Sequence, residues 1–132
     1  MIRILLVEDD PVIRDTTSYF LKCQQNFEVV CADTGGEALS HAREKFDVIL
    51  MDIRMPVMDG LAATRCIRES DHSDSKTVPI VAMTANVFEE DVKKSFDAGM
   101  NAHLSKPVDI KQMYAVSVSY THLRAHETDS YL

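Results

Sequence analysis

The sequence has no long hydrophobic run. The apolar stretch nearest the N-terminus is Ile4 to Val7, far short of the roughly 20 residues a membrane-spanning helix needs. Arg3 precedes that stretch and Glu8 closes it, so no signal-peptide core is present. Cysteine is scarce: Cys23, Cys31 and Cys66 are three, an odd number, with no CxxC spacing. This argues against a thiolate zinc site and fits reduced, buried thiols in a cytoplasmic protein. Basic charge is also short. Lys plus Arg number 14 against 21 for Asp plus Glu, which leaves −7. An acidic surface disfavours non-specific binding to nucleic acid or anionic membrane, so neither is expected as a direct partner. There is no internal repeat and no low-complexity segment.

What is present suits one compact domain: 132 residues, 45% hydrophobic and 27% charged, can bury a core. Five apolar stretches alternate with five helix-like ones. Ile2 to Val7 is aliphatic on both faces, as a buried parallel strand should be. Asp10-Pro11 supplies an N-cap and an N1 proline for a helix over 11–24, with Ile13, Thr17, Phe20 and Leu21 at helical spacing. Phe27 to Ala32 is the second strand. Thr34 to Glu37 has capping-box spacing and opens the second helix. Val48 to Asp52 is the third strand, and it ends on a carboxylate. A loop over 55–60 leads into a helix reaching about Ser70. Pro79 to Thr84 is the fourth strand. Asn86 caps the next helix, with Phe88, Val92 and Phe96 on one stripe and Gly99 at its C-terminal stop. Ala102 to Ser105 is a short fifth strand, and Asp109 starts a last helix carrying Ile110, Met113 and Tyr114.

Alternation at this spacing implies βαβ units, hence an α/β fold with a doubly wound parallel sheet and helices on both faces. Ligands in such sheets bind outside the carboxyl ends of the strands. Those ends carry Glu8 and Asp9, then Asp52, Thr84 and Lys106. Three carboxylates at one edge repel one another unless a cation joins them. Mg²⁺ is the fitting cofactor, since it takes one or two carboxylates, keeps waters and shares its remaining sites with phosphate oxygens. A carboxylate nucleophile, an ammonium and a hydroxyl at one edge suit phosphoryl transfer, with Asp52 as the attacking group. Alone, each residue has a plainer reading. Asp52 could be a turn former, Asp10 a helix cap, Thr84 a strand-end hydroxyl and Lys106 a surface lysine. Their joint placement carries the signal.

That pattern resembles the receiver domain of two-component response regulators over residues 2–116. The segments that carry it are Ile4 to Asp10, Met51 to Gly60, Ala82 to Ala85 and Ala98 to Pro107. The resemblance implies a flavodoxin-like sheet of five parallel strands in the order 2-1-3-4-5. It implies that Asp52 accepts phosphate from a phosphohistidine on a histidine kinase or a histidine phosphotransfer domain. Glu8 and Asp9 match the acidic pair that positions Mg²⁺, and Arg54 the position that offers its backbone carbonyl to the metal. Thr84 matches the hydroxyl that turns toward the phosphoryl group, and Lys106 the ammonium that bonds it. The bond before Pro107 is expected to be cis. His103 stands where the family usually has the Tyr or Phe that swings inward on activation. The output surface is expected on helix four, strand five and helix five, read by a downstream domain or protein. A signalling phosphoacceptor, not an enzyme, is the expected class.

Two other readings compete. A haloacid-dehalogenase-type phosphohydrolase also uses an aspartyl nucleophile and Mg²⁺, but it needs a second aspartate where this chain has Arg54. A non-phosphorylated pseudo-receiver usually lacks the acidic pair, the Asp or the Lys, all present here. The setting stays open. Met1 directly before the first strand suggests a free-standing regulator or the first domain of a longer one, whereas the 82–107 segment looks like receivers in hybrid sensor kinases. Finally, Val118 to Thr128 resembles a translated sequencing adapter. The expectation is therefore a receiver domain over 1–116 with a truncated last helix, followed by a non-native tail over 117–132.

Overall fold

A computed structural model describes residues 2–24, 26–85, 92–109 and 111–119. Its strands are β1 (Ile2–Val7), β2 (Phe27–Ala32), β3 (Val48–Asp52), β4 (Ile80–Thr84) and β5 (Ala102–Ser105). They pair in parallel in the order β2-β1-β3-β4-β5. The helices are α1 (Pro11–Lys22), α2 (Gly35–His41), α3 (Gly60–Glu69), α4 (Val92–Ala98) and α5 (111–119).

Strand alternation divides the core into two layers. Leu5, Val7, Ile49, Met51, Ile80 and Ala82 face α2 and α3, where Ala38, Ala63 and Ile67 meet them. Ile4, Leu6, Val48, Leu50, Val81 and Met83 face the other way, against Leu21 of α1 and Met113 of α5. Both faces are covered, which is why β1, β3 and β4 are aliphatic at consecutive positions. Each fully buried Leu or Ile contributes about 1.5–3 kcal/mol. Sequence reading also located most helix ends. Asp10 Oδ1 accepts from the backbone N–H groups of Val12 and Ile13 at the start of α1. Thr34 Oγ1 caps α2, Asp59 Oδ1 caps α3, and Asp109 Oδ1 accepts from the Lys111 N–H. Gly99 ends α4 at φ 112°, the left-handed stop its position predicted.

One difference has a physical cause. Phe20 is half exposed, on the flank of α1, while Thr17, Ser18 and Leu21 form its buried face. Ser18, with its small side chain, takes the inner position that helical spacing had offered to Phe20. The described part of the last helix covers 111–119, and the expected boundary after Val116 lies within it. Residues 120–132 of the expected tail, together with Asn86, Phe88 and Ile110, lie outside the described residues. Among the described residues no helix is long and apolar enough to cross a membrane.

Candidate functional site

The sheet order brings the chemistry together. Val7 pairs with Met51, so the next residues, Glu8 and Asp52, leave adjacent strands side by side. The Ile53 N–H donates to Met83 O, which sets Asp52 beside the end of β4. The Lys106 N–H donates to Thr84 O at 2.8 Å, extending the β4–β5 ladder by one residue. That bond turns Lys106 toward the carboxylates. The Lys106–Pro107 peptide is cis, as expected.

Oxygens of Glu8, Asp9 and Asp52 all lie within 4.8 Å of one another. Lys106 Nζ lies 2.8 Å from Glu8 Oε2 and 2.9 Å from Asp52 Oδ1. Glu8 and Asp52 are buried, at 1% and 2% exposure, while Asp9 is half-buried at the mouth. The Asp10 N–H donates to Glu8 Oε1 at 3.2 Å. The Arg54 N–H donates to Asp52 Oδ1 at 3.3 Å, while the Arg54 residue is exposed. Thr84 is buried at the end of β4. His103 is half-buried on β5, its ring edge-on to Phe96 of α4 at 5.5 Å between centroids.

One ammonium cannot balance these carboxylates. The Asp52 pKa is raised to about 7, chiefly by burial; Lys106 pulls it down and Glu8 pushes it up. Burial works against the charge on Lys106 as well, but its bonds to Glu8 and Asp52 outweigh that and hold its pKa above the ordinary lysine value. The surplus negative charge and the clustered oxygens fit a hard divalent cation. Asp10 contributes its backbone N–H to Glu8 while its Oδ1 caps α1.

Gly60 is a contributor that the sequence showed only as part of a loop. A Cβ there would overlap the Asp52 carbonyl oxygen and crowd Ile53 Cα. Only glycine lets α3 start this close to the strand that carries Asp52. The Asp-Gly pair at 59–60, a cap followed by a close approach, was the available signal.

A parallel sheet of this order, with an acidic pair, an aspartate, a hydroxyl and a lysine at its carboxyl edge, defines a receiver-type signalling domain. The pattern of the response regulator receiver domain matches residues 4–117, and the chain belongs to that family. It is 42% identical over 108 residues to the CAI-1 autoinducer sensor kinase/phosphatase CqsS of Vibrio cholerae, covering 81% of this chain and 16% of that protein. It is 35% identical over 124 residues to the sensor protein GacS of Pseudomonas syringae, covering 92% of this chain and 14% of GacS. The chain thus spans under a fifth of either relative. Among solved structures it resembles the receiver domain of a sensor histidine kinase of Pseudomonas aeruginosa, which holds a magnesium ion in its active-site cleft. There the TM-score is 0.81 at 36% identity, over 91% of this chain and 97% of that one. It also resembles the chemotaxis protein CheY4 of Vibrio cholerae, with a TM-score of 0.78 at 32% identity, over 88% of this chain and 95% of that one.

Proposed function

We propose that this domain is a phosphoacceptor that takes phosphate from a phosphohistidine onto Asp52 and does not turn over a substrate of its own. The carrying observation is the single cluster in which Lys106 reaches both Asp52 and Glu8 while Asp9 completes the acidic set. An Asp52 oxygen attacks phosphorus, the new O–P bond forms as the N–P bond breaks, and the imidazole leaves. Lys106 stands beside the attacking oxygen, where it can neutralise charge on the incoming phosphoryl group. Thr84, at the end of the neighbouring strand, supplies a hydroxyl donor to the same group. Glu8, Asp9, Asp52 and the Arg54 backbone are the residues that would hold Mg²⁺, whose charge offsets theirs and that of the phosphoryl oxygens.

The partners are a histidine kinase or a histidine phosphotransfer domain, in a cytoplasmic setting. Phosphorylation would then shift the population of the α4–β5–α5 face, where His103 meets Phe96, and a downstream domain or protein would read that face. Arg54 stands where a phosphohydrolase of the haloacid-dehalogenase type needs its acid/base aspartate, which favours the acceptor reading. The test is incubation with Mg²⁺ and a small acyl-phosphate donor, followed by intact mass. The wild-type protein should gain one phosphate and Asp52→Asn none. An equal gain in the Asn variant sinks the proposal.

A further inference from the structure

The loop between β3 and α3 is strained. Val57 has φ 68°, a region that β-branched residues avoid. The Met58 N–H donates to Pro56 O at 2.8 Å across it. Together these make a γ-turn with a positive central φ, the rarer and more strained of the two γ-turn forms. The Val57 side chain is fully exposed, so its own packing does not keep it there. At the base of the loop the Gly60 N–H donates to Ile53 O at 2.8 Å.

Met58 is different. It is partly buried against the core layer beneath α2 and α3. It also lies directly on Gly35, the first residue of α2: a Cβ at Gly35 would meet Met58 Sδ at 2.8 Å and Cγ at 2.9 Å. Backbone strain persists only where surrounding contacts over-determine it. Met58 is the residue of this turn that reaches such contacts. Arg54 sits in the same loop, with its N–H on Asp52 Oδ1.

We propose that Met58, seated against Gly35, is a positioning residue. It holds the turn at Val57, and through the turn it keeps the Arg54 backbone in the shape that completes the cation and phosphoryl site. The proposal rests on the phosphoacceptor reading above. A glycine at the start of α2 thereby acts on a site formed by β1, β3 and β5.

Met58→Ala empties the seat. Gly35→Ala blocks it from the other side while favouring α2, because alanine is the better helix former. Both variants should weaken Mg²⁺ binding, read by titration calorimetry, by about tenfold, the size of loss when contacts that aim metal ligands are removed. Both should also slow phosphate uptake from the acyl-phosphate donor. Met58→Leu refills the seat and should stay near wild type. Val57→Gly added to Met58→Ala removes the strain and should recover most of both values. Unchanged Mg²⁺ affinity and uptake in Met58→Ala overturn the inference. So does a loss that Val57→Gly fails to recover, since it then reflects general packing. A wild-type protein that takes up no phosphate overturns the phosphoacceptor reading itself, a separate result.

Discussion

Asp52 is buried beside another carboxylate, and its protonation should be visible in the stability of the metal-free domain. Its folded pKa is raised from 3.8 to about 7. Between those values the folded state binds more protons than the unfolded state. Stability therefore falls as pH rises through that window, and the full penalty is present above it. Thermal melts in chelator should show a metal-free domain on the order of 2 kcal/mol less stable at pH 8 than at pH 5, less whatever other groups contribute. Asp52→Asn should remove most of that slope and be the more stable protein at pH 8. Mg²⁺ should narrow the gap between the two at pH 8, because it binds the ionised carboxylates of the native state. A wild type and an Asn variant with parallel pH profiles would contradict the burial argument. The residues of this site were legible because strand ends are legible: an aliphatic run that stops on Asp52 or Thr84 states where the side chain emerges. The raised pKa was not. It depends on Glu8 being buried and on Lys106 facing both carboxylates, and neither follows from spacing.

Among the elements, α3 and α4 are joined by a clamp that spacing could not reveal. Arg68, in the last turn of α3, donates through Nε and Nη2 to Gly99 O at 3.0 and 2.7 Å. Nη2 also reaches Asn101 Oδ1 at 2.9 Å, and Nη1 reaches Ser75 O at 3.2 Å. Asn101 Oδ1 in turn accepts from the Ile80 N–H at the start of β4. One guanidinium thus ties together α3, the 70–79 loop, the end of α4 and the lead into β5. Its fork reaches three acceptors at once, which an ammonium cannot match. Arg68→Ala should cost about 1–3 kcal/mol, because part-buried acceptors lose charge-assisted bonds. Arg68→Lys should fall between that variant and the wild type. Urea melts check both, and an alanine variant within about 0.5 kcal/mol of wild type, the usual range of neutral surface changes, would show the clamp to be idle. In the sequence Arg68 reads as one basic residue on a solvated helix end. Its partners lie 31 and 33 positions away. The helix itself and the stop at Gly99 were legible because those signals are local.

Across the whole molecule, the two ends of the sheet do different work. The carboxyl ends of the strands gather the unbalanced acidic groups, and the opposite ends gather groups that satisfy one another. There Arg3 lies 2.8 Å from Glu44, donates to Lys45 O and stacks over Phe46. The formal −7 of the chain is therefore unevenly meaningful, because Glu8, Asp9 and Asp52 share one site. The far end of α5 belongs to neither group. Ser117 is fully buried, and its Oγ has no hydrogen-bond partner among the described residues. It sits at the last residue of the family match. A buried hydroxyl without a partner costs about 1–3 kcal/mol, which a native core position would normally avoid with an apolar side chain. Two measurements probe this end of the chain. Ser117→Ala should stabilise the domain by about 1 kcal/mol, since it removes the polar atom and leaves only a small void. Deletion of 120–132 should leave both the melting temperature and phosphate uptake at Asp52 unchanged, because the five strands and the acidic site with Lys106 all lie within residues 2–106. A deletion that lowers the melting temperature by several degrees, or slows phosphate uptake, would assign the tail to the fold.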